Sequence, residues 1–282
     1  MEEKKEESNV VRGNKKSKTI IDSQLHLSNF KHSQYLDQNS AFCDYMEDCA
    51  VSIDNFNKES NRHLYCIFDG HGGDVSAKLC TKKFPEIFRK CLLGNPFDYE
   101  LAIKKSFYLM DKEIEKLEAK EVGNTATVVF IHNKLLYCAN VGDSSCCIIG
   151  KTAEFISVNH KCTNKNEKKR IEKEGGSIID DRLGGILAIS RGLGDFDLKK
   201  KGLSCEPYIT KKLIDHNVNY CVLASDGVWD VLSPEGVSEI LKKNNKIEDA
   251  AKNIVDEAIE KGTEDNISCI VVELNKRIHL NK

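Results

Sequence analysis

The sequence is poor in proline and arginine, and it contains no long apolar run. Four prolines in 282 residues exclude a collagen-like fibre and a proline-rich disordered scaffold. No stretch approaches the roughly 20 consecutive apolar residues of a bilayer-spanning helix. The opening MEEKKEESNV lacks the apolar core of a secretory signal, so the chain is expected in the cytosol or nucleus, away from membranes. An excess of one charge is also missing: 42 Lys plus Arg against 44 Asp plus Glu leave a formal −2, which disfavours nucleic acid as the ligand. Only seven of those cations are arginines, against 35 lysines, so planar bidentate recognition of a phosphate has few candidates. The twelve cysteines include no Cys-x-x-Cys pair, which reads as reduced thiols rather than a zinc site or a disulfide framework.

What is present is a folded chain with 40% hydrophobic residues. Residues 1–20 alternate Glu, Lys, Ser and Asn and read as a flexible arm. From 21 to 282 no linker or repeat interrupts the pattern, so a single domain is expected there, with a monomer as the simplest state. Short β-branched and aromatic runs mark strands at His63–Phe68, Thr125–Ile131, Leu135–Ala139, Ser145–Ile149, Tyr220–Ala224 and Ile267–Val272. Apolar positions every three or four residues over 75–92 and 98–119, including Phe84, Ile103, Phe107, Met110 and Ile114, predict two amphipathic helices. Further helices are expected near 235–243 and 247–261. Strands before and after a helical pair, without regular alternation, point to an α+β fold of antiparallel sheets flanked by helices.

Acidic residues recur at the borders of these strands: Glu47 and Asp48, Asp69 after LYCIF, Asp226 after YCVLAS, and Asp265 before NISCIVVEL. Asp-Gly is also an ordinary turn former, so each pair alone has a plain structural reading. As a set they suit hard divalent cations, which take oxygen ligands and relieve the repulsion among grouped carboxylates. His71 follows in FDGHGGD, where an imidazole with a pKa near 6.5 can donate a proton to a leaving alkoxide. A packed or hydrated turn histidine is the alternative, and Asp74 is a candidate helix cap. The sequon Asn266-Ile267-Ser268 falls inside an acidic motif and reads as a chance match.

Seven ordered blocks carry a family resemblance: Met46-Glu47-Asp48, FDGHGG at 68–73, GNTAT at 123–127, ANVGDS at 139–144, SRGLGD at 190–195, LASDGVWD at 223–230 and EDNIS at 264–268. Spread over about 220 residues, they resemble the metal-dependent serine/threonine protein phosphatases of the protein phosphatase 2C family. The resemblance implies a four-layer α-β-β-α sandwich, two central antiparallel sheets flanked by helices, with two Mg²⁺ or Mn²⁺ ions in a cleft at one edge. It implies that Asp69 bridges both ions, Gly70 offers a carbonyl, Asp226 and Asp265 are direct ligands, Glu47 binds partly through water, and Asp48 supports ion-bound water. His71 is the implied general acid, with direct attack on phosphoserine or phosphothreonine proteins by a dinuclear-metal-activated water and no phosphoenzyme. None of the cysteines sits in the Cys-x5-Arg loop of the cysteine-based phosphatases.

Two positions depart from the family pattern. Cys43 stands where an arginine usually binds the substrate phosphate, which leaves the phosphate-binding residue open. Asn159 stands where an aspartate contributes to a third, weaker metal; with Asp195 it marks the expected third-metal region, although Asp195 reads equally as a turn residue. Arg191 is expected in a structural loop role, Trp229 as support for the Asp226 loop, and Asp195–Asn219 as a short flap contributing to substrate choice. Lys199–Lys201 are either solvated lysines or an attraction for acidic partners. The leading expectation is a protein phosphatase; a pseudophosphatase-type interaction domain is the alternative, and a two-metal nuclease or small-molecule phosphoesterase a distant third.

Overall fold

The computed structural model describes residues 30–119, 121–243 and 246–275; the arm expected over 1–20 lies outside them. Ten strands build the two main sheets: β1 Lys31–Asp37, β2 Cys49–Ile53, β3 Arg62–Phe68, β4 Ala126–His132, β5 Leu135–Val141, β6 Ser145–Gly150, β7 Ala153–Phe155, β8 Tyr208–Leu213, β9 Val218–Ala224 and β10 Ile267–Glu273. One sheet runs β1-β10-β9-β6-β7 and the other β8-β5-β4-β3-β2, with antiparallel neighbours throughout. The longer helices are α1 Val75–Gly94, α2 Tyr99–Glu115, α3 Lys165–Lys173, α4 Pro234–Lys243 and α5 Ala250–Glu260.

The four layers follow from the period of two along each strand. In β3, Leu64, Cys66 and Phe68 join the core beneath α1 and α2, where Phe84, Phe88, Phe107 and Met110 are buried. The intervening Tyr65 and Ile67 face the other sheet and meet Cys221, Leu223, Ile270 and Val272. In β9, Val222 and Ala224 turn outward onto Ile254, Val255 and Ala258 of α5 and Val237 and Leu241 of α4. With both faces of each sheet covered, these strands read as continuous apolar runs, and each fully buried aromatic ring contributes roughly 2–3 kcal/mol. This is the expected α-β-β-α sandwich. None of the described helices is long and apolar enough to cross a membrane.

Three local expectations change. Asp74 occupies the cap position of α1, but its side chain caps nothing and instead accepts from Lys78 Nζ at 2.6 Å. The expected flap at Asp195–Asn219 is in part a regular edge strand, β8. The excursion from the sheets runs instead from 156 to 207 and includes α3. Lys199 is half-buried and donates to Asp111 Oδ1 at 2.9 Å and Gly192 O at 3.1 Å, so it anchors this excursion rather than projecting as a free charge.

Candidate metal centre

Strand register brings the acidic residues together. Cys49 pairs with Phe68 across β2 and β3, so Asp48 and Asp69 leave the second sheet side by side. In the first sheet, Ala224 pairs with both Cys269 and Ser145, which brings Asp226, Asn266 and the Asp143–Ser144 turn to the same end. Carboxylate oxygens of Asp69, Asp143 and Asp226 all lie within 4.8 Å of one another. Ser144 Oγ donates to Asp69 Oδ2 at 3.1 Å and shares a 2.7 Å hydrogen bond with Thr125 Oγ1, so two hydroxyls from separate motifs fix the central carboxylate.

The electrostatics are those of a cation site. Burial raises Asp69 well above the usual carboxylate range, and the charges of Asp48, Asp226, Asp143 and Asp265 add to it. Burial, then Asp143 and Asp265, push Asp226 up to about 8. Burial also raises Asp143, against the pull of Lys161. Asp48 is buried, and burial raises it to about 6 against the opposing effect of the Ser225 and Ser268 hydroxyls; its Oδ2 has no hydrogen-bond partner. Grouped, desolvated carboxylates with an orphaned oxygen beside them fit one or more divalent cations, whose charge removes the cause of these shifts.

The remaining expected residues are placed around this group. Glu47 Oε1 accepts from Gly73 N at 2.5 Å, and the backbone of Glu47 lies against Gly70, where a Cβ would meet Glu47 O at 2.8 Å. Asp265 is exposed and stands outside the 4.8 Å group; its Oδ1 accepts from Asn266 N at 2.7 Å. Asp265 also helps to line an open cleft of about 280 Å³ with Asp226, Gly227 and Asp230. Asn266 organises this edge: its Oδ1 accepts from Glu47 N at 2.7 Å, and its Nδ2 donates to Gln38 O at 2.8 Å and Tyr45 O at 3.2 Å. Its burial within these bonds leaves the sequon inaccessible in the folded chain. Trp229 Nε1 donates to Ala224 O at 2.9 Å and Ser145 O at 3.1 Å, bracing the turn that carries Asp226.

Asn159 and Asp195, the expected third-metal region, make separate contacts. Asn159 Oδ1 accepts from Lys161 N at 2.9 Å, a local turn bond. Asp195 Oδ2 lies 2.7 Å from His71 Nε2, with Asp195 buried and the His71 side chain 30% exposed. Asp143, which the sequence reading passed over, joins the carboxylate group instead. The signal was present, because Gly142-Asp143 follows an apolar strand just as Asp69 and Asp226 do. Lys161 Nζ sits 3.0 Å from Asp230 Oδ1 and 3.9 Å from Asp143 Oδ2, a fixed cation at the rim of the group.

Cys43 is half-buried, and its Sγ lies 3.5 Å from Glu264 O. Burial and then the charges of Asp265, Asp48 and Glu47 raise its pKa, which places the thiol at the acidic cleft. No nearby arginine replaces the absent guanidinium among those whose bonds are described. Arg62 is bonded to Glu59, Arg182 to Ile186 O, and Arg170 and Arg191 both to Glu167.

An antiparallel α-β-β-α sandwich with a buried carboxylate cluster at its rim defines the architectural class. Within that class the chain belongs to the protein phosphatase 2C family, whose pattern matches residues 34–267. It is 37% identical over 218 residues to the probable protein phosphatase 2C 69 of Arabidopsis thaliana, covering 74% of this chain and 60% of that relative. It is 31% identical over 258 residues to protein phosphatase 2C homolog 1 of Saccharomyces cerevisiae, covering 84% of this chain and 91% of the yeast protein. The match spans 60%, 48% and 58% of the length of three plant relatives. The fold is similar to that of a C. elegans sex determining protein, with a TM-score of 0.81 at 23% identity over 88% of this chain and 66% of that one. It is also similar to serine-threonine phosphatase 2C from Toxoplasma gondii, with a TM-score of 0.74 at 20% identity over 86% and 94% of the two chains.

Proposed function

We propose that this chain is a Mg²⁺- or Mn²⁺-dependent protein serine/threonine phosphatase that hydrolyses phosphoserine and phosphothreonine directly, without a phosphoenzyme. The observation that carries this reading is the convergence of Asp69, Asp143 and Asp226 within 4.8 Å, next to the His71–Asp195 pair. Asp69, Asp143 and Asp226, with Gly70, Glu47, Asp48 and Asp265 alongside, would hold two divalent ions and a weaker third. Such ions supply Lewis acidity toward a phosphoryl oxygen and lower the pKa of water into the neutral range.

The chain's own groups do the rest. Ser144 holds the Asp69 carboxylate in one orientation. Asp195 fixes the His71 ring through Nε2, which leaves Nδ1 to carry the proton given to the departing serine or threonine oxygen. Lys161 keeps a positive charge at the rim where the substrate phosphate approaches. None of these steps calls on a cysteine.

The test is phosphate release from a phosphothreonine peptide with and without Mn²⁺. Release that requires the metal and is lost in Asp69→Ala and Asp226→Ala supports the reading. Mn²⁺ binding with no release at saturating metal would replace it with a regulatory, non-hydrolytic role.

A further inference from the structure

Helix α3 is charged on nearly every face, yet one side of it is tightly held. Glu167 is buried and accepts from Arg191 Nη2 at 2.7 Å, Arg170 Nη2 at 2.9 Å and Ser190 Oγ at 2.8 Å. Ile171 is fully buried one turn further on and packs with Leu183, Leu198 and Leu203. With that face fixed inward, Lys165, Lys168 and Lys169 fall at i, i+3 and i+4 on the outward face and are exposed. None of the three forms an ion pair with a carboxylate of the described residues. Glu172, three and four positions beyond Lys169 and Lys168, lies on the same outward face toward the far end, so the positive charge is densest over the first half of the helix.

That half joins the carboxylate group through the segment that leads into it. The lead-in to α3 is pinned to the Gly142–Asp143 turn: His160 N donates to Gly142 O at 3.0 Å, and Lys161 Nζ is 3.9 Å from Asp143 Oδ2. Asn164 then closes the turn, donating from Nδ2 to Asn159 O at 3.1 Å and accepting from Asn166 N at 2.9 Å. Lys165 lies only four positions beyond Lys161, at most about 14 Å of chain.

We propose that Lys165, Lys168 and Lys169 form a recognition surface for aspartate and glutamate side chains flanking the phosphorylated residue, so that this chain selects phosphosites in acidic surroundings. The proposal rests on the phosphatase reading and deepens it to a substrate class. Its basis is charge complementarity: three unpaired cations in one stripe, linked by a short segment to a site whose proposed substrate is an anionic phosphopeptide. Exposed ion pairs are individually weak, and three acting together amount to about tenfold in affinity at low salt.

The experiment is fluorescence anisotropy of the full chain in Mn²⁺ buffer with two labelled phosphothreonine peptides of equal length. One carries Asp and Glu around the phosphosite and the other Ser and Gln. The acidic peptide should bind about tenfold more tightly at low salt, and the advantage should vanish near 1 M salt, where the screening length is about 3 Å. The triple variant K165Q/K168Q/K169Q should lose the advantage, and K165R/K168R/K169R should keep it. The readout is a ratio of two affinities, which damage to the fold or metal centre lowers for both peptides alike. Equal affinity of the wild-type chain for both peptides, or an advantage that survives in the glutamine variant, overturns the proposal. Failure of the phosphatase reading is distinguishable, because it appears as no metal-dependent phosphate release from either peptide whatever their affinities.

Discussion

His71 Nε2 and Asp195 Oδ2 lie 2.7 Å apart although 124 positions separate them in the chain. A small three-stranded ladder sets this distance. His71 pairs with Gly123, and Gly123 pairs with Gly194, the residue before Asp195. Asp195 itself adopts a left-handed conformation at φ +50°, which aspartate and asparagine tolerate better than most residues.

Asp195→Asn therefore keeps the backbone and removes the charge. On a phosphothreonine peptide kcat should fall about 10- to 100-fold with little change in KM. An aryl phosphate, whose leaving group departs without a proton, should be much less affected. Equal losses on both substrates in steady-state assays would show that Asp195 does not act through proton donation by His71.

Gly123 leaves no room for a side chain beneath this pair. A Cβ there would stand 2.0 Å from Asp195 Oδ2 and 2.7 Å from His71 Nε2. Gly123→Ala should separate the two groups and reduce peptide turnover at least as far as Asp195→Asn. Calorimetric titration should find Mn²⁺ binding retained, since the carboxylate group is built from other strand ends.

The carboxylate group makes stability depend on pH and metal. Asp226, raised by burial and then by Asp143 and Asp265 to about 8, lies above an unfolded value of about 4. Its contribution is present below that lower value and is lost as pH rises through about 8. In chelator, the melting temperature should decline from about pH 5 to about pH 8, by about 2–4 °C per kcal/mol for a chain of this size. Added Mn²⁺ should restore it, with the larger gain at the higher pH. Calorimetric melts that respond to Mn²⁺ equally at both ends would contradict this.

Glu167 has the opposite sign. Burial pushes its carboxyl up, but hydrogen bonds from Arg191, then Arg170 and Ser190, overcome burial and hold it at about 2. Its contribution is complete above an unfolded value near 4.3 and disappears as pH falls toward 2, an amount of about 3 kcal/mol. Glu167→Gln leaves two guanidinium groups without their carboxylate, so urea unfolding at pH 7 should report a loss of about that size. The acid-dependent slope of the wild type between about pH 4.5 and 2 should flatten in the variant.

Cys43 offers a gain-of-function test. Cys43→Arg would place a planar donor beside the cleft bounded by Asp265, Asp48 and Glu47. If the vacant guanidinium limits phosphate binding, kcat/KM on phosphopeptides should rise about tenfold, in line with one charge-assisted contact. An unchanged or lower kcat/KM would mean that another group already fills that role.

The sandwich was legible because its strands are covered on both faces. Runs such as Leu64–Phe68 and Tyr220–Ala224 carry apolar residues at every position, a stronger signal than half-buried alternation. Strand β8 lacked it: Lys211 and Lys212 sit in an edge strand with no fully buried residue. Helix α3 was missed for a related reason. Its single buried apolar residue is Ile171, and its other anchor is a glutamate, which no hydrophobic period can reveal. At the site, Asp69, Asp143 and Asp226 all follow apolar strands, so the same pattern marks each of them. The pairing of His71 with Asp195 was not readable, since it depends on the register of segments far apart in sequence.

The bonds from Asn266 to Glu47 N, Gln38 O and Tyr45 O join segments separated by 219, 228 and 221 positions. Contacts this distant form late and depend on almost the whole chain. A nascent polypeptide still lacking Asn266 and β10 has Asp69, Asp143 and Asp226 but not the strap that shapes the Glu47 edge. The Glu47 edge of the carboxylate group is thus the part of the site that takes shape last, after the segments carrying Asp69, Asp143 and Asp226 already exist.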